Sequence, residues 1–290
     1  MILIVLNVAI DFYGLFWRDG KSGISIYSDE RTSKYLLAHR YVPNNFNVYL
    51  LGPSLSANIN TKEFAAERIY NLSMMGANIT EQYAVLAKAL ESKTPSKVII
   101  CLHPYLTADH GMKTGMINKK EYWGAVGSIS LYKAYALGLV RKFNVLPDKY
   151  PQNQFNDFGY NNYNDLLRST DVKARIESEL QKPDAINANI NLQALKEFDI
   201  MITDLKSRGV QIIGYFHPLP YPIFKTFESD LIKYQVTIRE HLGADVVLLD
   251  FNNSEYQFFT KDFSNYIDHG HLSEKGQKFI LTEIISKAGI

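Results

Sequence analysis

The chain predicts an α/β fold built on a parallel sheet, and three observations carry this expectation. Short apolar runs at 47–51 (NVYLL), 97–102 (KVIICL), 210–216 (VQIIGYF) and 245–250 (DVVLLD) have the length and composition of fully buried strands. Between them, residues 79–92, 190–207, 226–242 and 272–287 carry apolar side chains spaced three and four apart, the period of amphipathic helices. Buried strands alternating with such helices form a layered fold with helices packed on a parallel sheet.

The elements follow in order. The opening run MILIVLNVAI stops at Asp11, about ten residues against the roughly 20 that span a bilayer. No basic residues precede it, so it is not a complete signal peptide. Residues 1–10 read either as a first buried strand or as the remnant of an N-terminal membrane anchor. The strand at 47–51 ends on Gly52-Pro53-Ser54. In 70–79 (YNLSMMGANI) a short apolar strand leads through Gly76 toward the helix at 79–92. Cys101, inside KVIICLHP, reads as a core thiol. From about 104 to 188 no strand stands out. SISLYKAYALGLVRKF looks helical and YPQNQFNDFGYNNYND looks like a long loop, together an insertion or lid within a single domain spanning 1–290. The helix at 190–207 stops at Gly209.

Composition bounds the function. Hydrophobic residues make up 46% and charged residues 21%, enough for a full core. The net charge of +1 and the lack of a clustered basic surface exclude nucleic acid as a general partner. One cysteine allows neither an internal disulfide nor a cysteine zinc cage, and no metal or other cofactor is expected.

Three stretches could carry chemistry. Ser54 stands where a strand of a parallel sheet ends, the side on which such sheets bind ligands. A second Gly-x-Ser triplet, Gly20-Lys21-Ser22, follows Gly14 with five intervening residues rather than the four of a phosphate-binding loop, and Phe16 and Trp17 fall inside it, so the phosphate reading is rejected. Near the C-terminus, YIDHGHLSEKG places Asp268 and His271 three residues apart. On a tight turn the carboxylate would fix the imidazole tautomer and leave the other ring nitrogen for a serine. His269 competes for that role. Gly76 is placed to offer its N–H to a developing oxyanion.

Together these stretches resemble the SGNH, or GDSL, hydrolases. Gly52-Pro53-Ser54-Leu55 resembles the G-D-S-L block with Pro for Asp, Gly76 in NLSMMGAN the second block, and Asp268 with His271 the last. HLSEKG and IDFYGLF (10–16) resemble segments of the membrane-tethered, polysaccharide-modifying branch. The resemblance implies a three-layer α/β/α sandwich, flavodoxin-like in its sheet, and acyl-ester chemistry. Ser54 would be the nucleophile, His271 the base and Asp268 the orienter. The N–H groups of Ser54 and Gly76 would form part of the oxyanion hole. The third block, Gly-x-Asn-Asp, is missing; CLHPYLTADHG stands in its place, and His103 or Asn78 would substitute. His217, in FHPLPYP, and His103 are candidate substrate contacts. The implied substrate is an acyl ester on an exported or cell-envelope carbohydrate. A membrane acyltransferase or an export machine would be the partner, and the location extracytoplasmic. Two rival expectations are a non-catalytic glycan-binding or assembly protein with this fold, and a cytoplasmic esterase for which 1–10 is a true strand.

Overall fold

The computed structural model describes residues 2–11, 13–17, 30–109, 117, 120, 129–149, 156–162, 164–182 and 186–290. The Gly20-Lys21-Ser22 triplet, much of 104–128 and the start of the Asn-rich loop lie outside the described residues. The helices are α1 (Ile2–Ile10), α2 (Glu30–Leu37), α3 (Tyr41–Asn45), α4 (Ser54–Ala57), α5 (Ile79–Ser92), α6 (Ile129–Lys142), α7 (Asn164–Leu167), α8 (Val172–Leu180), α9 (Leu192–Ser207), α10 (Tyr221–Thr226), α11 (Glu228–Leu242), α12 (Gln257–Thr260) and α13 (Glu274–Ala288). The strands are β1 (Val48–Leu51), β2 (Ile69–Asn71), β3 (Lys97–Leu102), β4 (Gln211–Phe216) and β5 (Val247–Asp250).

All five strands are parallel and lie in the order β2-β1-β3-β4-β5. Side chains alternate between two cores, as the period of two requires. Tyr49, Leu51, Val98, Ile100, Ile212 and Phe216 face one core, shared with α2, α5, α9 and α11. Val48, Leu50, Ile99, Cys101, Ile213 and Tyr215 face the other, shared with α13 through Ile280, Leu281 and Ile284. The result is a sheet between two helical layers. The four strands and four helices expected from periodicity are β1, β3, β4, β5 and α5, α9, α11, α13.

Helix starts are set by side-chain caps. Asn78 Oδ1 accepts from Glu81 N (3.2 Å) at α5, Asn191 Oδ1 from Gln193 N and Ala194 N (2.9 and 3.0 Å) at α9, and Ser273 Oγ from Gly276 N (3.3 Å) at α13. The chain leaves β1 toward β2 on one side and returns to β3 on the other. The β1/β3 boundary is therefore the topological switch point, outside whose carboxyl ends such sheets bind ligands.

Residues 2–10 do not form a strand. They are a helix, α1, with Asn7 buried and Ile4, Val5 and Ile10 exposed. Asp11 fixes the chain beyond it, accepting from Leu15 N (2.7 Å) and Trp17 N (3.0 Å). The strand that the cytoplasmic alternative required is thus absent from this segment. No helix among the described residues is long and apolar enough to cross a membrane.

Candidate active site

The candidate residues lie on the connection after β1, on the turn before α13 and on the connections after β2 and β3. The first leaves β1. Buried Gln82 of α5 pairs both backbone groups of Gly52: its Nε2 donates to Gly52 O (2.7 Å), and Gly52 N donates to its Oε1 (3.3 Å). A Cβ on Gly52 would stand 2.5 Å from Cys101 Cβ and nearer still to Ser56 Oγ, so glycine is what lets β1 end this close to β3. Pro53 then leads into α4, whose first residue is Ser54. Ser54 is half-buried, and neither its hydroxyl nor its N–H is hydrogen-bonded among the described residues. Cys101, behind it, is fully buried, and burial pushes its thiol up to about 12.

The second connection is the turn before α13. Asp268 Oδ1 accepts from Gly270 N and His271 N, each at 2.8 Å, and its Oδ2 lies 2.8 Å from His271 Nδ1. Burial would raise the Asp268 carboxyl. The hydrogen bond and charge of His271, with the two backbone N–H groups, outweigh that and hold it down at about 2. An ionised Asp268 fixes the proton on His271 Nδ1. His271 Nε2 is then the basic nitrogen, and it is buried without a hydrogen-bond partner. His269 lies apart, 4.0 Å from Asp268 Oδ1 and 4.0 Å from Glu179 Oε1 of α8.

The turn and α4 are in contact. A Cβ on Gly270 would stand 3.0 Å from Leu55 Cδ2, and Asn58, just past α4, donates from Nδ2 to Leu272 O at 2.9 Å. The residues beside Ser54 and those beside His271 therefore pack on each other.

The third group lies around the candidate oxyanion donors. Gly76 has φ +62° and sits exposed in the turn from β2 to α5, where a side chain would be strained. This turn is gripped from α2: Glu30 Oε2 accepts from Met75 N (2.9 Å), Arg31 Nη2 donates to Met75 O (2.7 Å), and Lys34 Nζ donates to Ser73 O. Asn78 serves as the α5 cap, and its Nδ2 donates to Asp109 Oδ2 (3.1 Å). His103 begins the connection after β3, and the pairing of Leu51 with Ile100 puts it level with Ser54 beyond β1. His103 is buried, and its Nδ1 accepts from Tyr105 N (3.3 Å), which leaves the proton of the neutral ring on Nε2. Burial, reinforced by His217, His271 and His269, holds it well below the usual histidine range, so the ring is a neutral donor.

His217 is not placed as a substrate contact. It is 1% exposed, and its Nε2 donates to Gly270 O at 2.8 Å under the turn. Among the described residues no three His, Cys, Asp or Glu side chains converge as a metal site.

Gln82, Lys34 and Asn58 are the site-shaping residues that motif reading does not find. Gln82 had a signal: it lies on the apolar face of 79–92, in line with Ile79, Leu86 and Ala89, where a polar side chain must have a buried partner.

No protein-family model matches the chain, and no curated protein matches it. Solved structures do resemble it. A Streptococcus pneumonia protein provisionally described as a platelet activating factor is 12% identical, with a TM-score of 0.47 over 98% of each chain. A GDSL-like lipase from Bacteroides thetaiotaomicron is 9% identical, with a TM-score of 0.40 over 83% of this chain and 86% of that one. The protein TesA is 11% identical, with a TM-score of 0.42 over 83% and 96%.

Proposed function

We propose that this chain is a serine-dependent acyl esterase or O-acyltransferase of the SGNH type. The observation that carries the reading is the Asp268–His271 pair at 2.8 Å, with His271 Nε2 left without a partner on a turn packed against the helix that begins with Ser54. In the proposed reaction Ser54 Oγ attacks the ester carbonyl carbon and its proton passes to His271 Nε2. The imidazolium is stabilised by Asp268. The oxyanion of the tetrahedral intermediate takes hydrogen bonds from the N–H groups of Ser54 and Gly76 and from His103 Nε2–H. Collapse breaks the ester C–O bond, His271 returns the proton to the leaving alcohol, and the acyl group stays on Ser54. Water or a sugar hydroxyl then attacks the acyl carbon while His271 takes its proton; the bond to Ser54 Oγ breaks and His271 returns the proton to that oxygen.

The proposed substrate is an acyl ester of a cell-envelope or exported carbohydrate, handled outside the cytoplasm. The proposed partner is a membrane acyltransferase or export machine. The likeness of 10–16 and of HLSEKG to the polysaccharide-modifying branch supports this, as do the exposed apolar residues of α1. The insertion at about 104–188 is proposed as a substrate-facing element. A non-catalytic glycan-binding role is the second reading; it is favoured by the absence of a side-chain amide at the start of the β3 connection, where His103 stands.

Turnover of p-nitrophenyl acetate separates the readings. Ser54→Ala and His271→Ala should each lose about 10³-fold or more, while His269→Ala should lose far less. Undiminished turnover in either of the first two variants would remove the catalytic assignment.

A further inference from the structure

The Asn-rich segment joins the two halves of the site. Asn156 Nδ2 donates to Asn60 Oδ1 (2.8 Å), and Asn161 N donates to Ala57 O at the end of α4 (3.1 Å). On the other side, Ser169 N donates to Ile267 O, next to Asp268, at 2.8 Å. Between these points stands Asn164, fully buried. Its Oδ1 accepts from Asn58 Nδ2 (2.9 Å) and from Gln277 Nε2 of α13 (3.4 Å), and its Nδ2 donates to Glu274 Oε1 (2.8 Å). Asn58 Nδ2 and Gln277 Nε2 also share one acceptor, the carbonyl of Leu272, at 2.9 and 3.0 Å. Gln277 Oε1 closes the ring by accepting from Asn60 N (3.1 Å).

We propose that Asn58, Asn164 and Gln277 are positioning residues that fix the His271 turn relative to the helix carrying Ser54. The proposal rests on the serine chemistry above. Three buried amides are a costly way to fill this space, and Asn58 Oδ1 has no partner. An orphaned buried acceptor is destabilising, so apolar packing would serve stability better. What apolar packing lacks is direction. An amide donating to Leu272 O, one residue past His271, specifies where that backbone lies relative to α4. Misplacing catalytic groups by about 1 Å costs on the order of 10²-fold in rate. In its described part the Asn-rich segment ties the end of α4 to the turn before α13.

The test uses two pairs of measurements on the full chain. Asn58→Leu keeps the volume and removes both donated bonds; it should lower kcat for p-nitrophenyl acetate about 10- to 100-fold with KM nearly unchanged. In a Glu274→Gln background, Asn164→Asp keeps the acceptor and should stay near the background rate, while Asn164→Leu should fall. Equal rates for Asn164→Asp and Asn164→Leu, or a wild-type kcat in Asn58→Leu, would overturn the proposal. Hydrogen exchange is read in parallel, whatever the turnover. Peptides covering 54–58 and 267–272 should lose protection together in Asn58→Leu and Asn164→Leu, with β4 unaffected. If the wild type shows no turnover, the serine chemistry fails, and joint loss of protection still supports the brace. Unchanged protection in both segments would sink the brace on its own. Should Asn58→Leu not fold, the Asn164 pair decides.

Discussion

His217 donates its Nε2–H to the carbonyl of Gly270, 2.8 Å away, from beneath the turn that carries Asp268 and His271. The same residue is tied to its neighbours through the main chain: His217 N donates to Leu102 O (3.2 Å), and Asn252 Nδ2 donates to His217 O (2.8 Å). The end of β4 is thus a fixed post on which the turn rests. Burial holds the imidazole at about 4, so it is neutral at ordinary pH and donates from one defined nitrogen.

His217→Phe should leave Gly270 O buried without its donor. The expected loss is about 1–3 kcal/mol of stability, read as a lower urea midpoint, with reduced kcat because the turn under His271 is freed. His217→Gln supplies a new N–H and should recover part of both. Equal loss in the two variants would show that ring volume, not the hydrogen bond, is what matters.

Asp268 makes acid stability a readout of the pair. Its folded value of about 2 lies below the ordinary aspartate value of 3.8. The stabilisation is therefore complete above about pH 4 and is lost as pH falls through about 2. Its size is about 2 kcal/mol. The difference in unfolding free energy between wild type and Asp268→Asn should be present at pH 7 and shrink toward pH 2. A difference that does not change with pH would contradict the ionised pair. Ester turnover in Asp268→Asn should fall on the order of 10⁴-fold, the effect of losing the correct imidazole tautomer.

The fold was largely legible because its strands are continuous apolar runs and its helices keep a clean period; β1, β3, β4 and β5 and helices α5, α9, α11 and α13 needed nothing else. α1 was ambiguous for the opposite reason. An apolar run of ten residues with one polar side chain, Asn7, has too little polar contrast to set its period. Within the site, the Asp268-to-His271 spacing announced its own hydrogen bond because the contact is local. Asn58 to Leu272, Asn164 to Gln277 and Gln82 to Gly52 join residues 30 to 214 positions apart. No local spacing encodes such contacts, so an isolated asparagine or glutamine gives no sign of its partner. The place of His217 was not legible for a related reason: a histidine at a strand end looks the same in sequence whether it faces the cleft or the core.

Lys34 is the buried cation beneath the Gly76 turn. Burial lowers it to about 8 from 10.5, against the opposing pull of Glu30. The unfolded chain therefore holds this proton more tightly, and the charged lysine reduces stability below about pH 8. As pH rises from about 8 to about 10.5 the wild type should gain about 3 kcal/mol relative to Lys34→Met. Chemical denaturation of both proteins at pH 7.5 and pH 10 measures this. A flat difference would mean that Lys34 is solvated or fully compensated by Glu30.

Activation of Ser54 by His271 is tested by labelling the folded protein with a fluorophosphonate, read by intact mass and peptide mapping. One adduct is expected, on Ser54, absent from Ser54→Ala and strongly slowed in His271→Ala. A folded wild type that takes no adduct, or takes it on another residue, would contradict it.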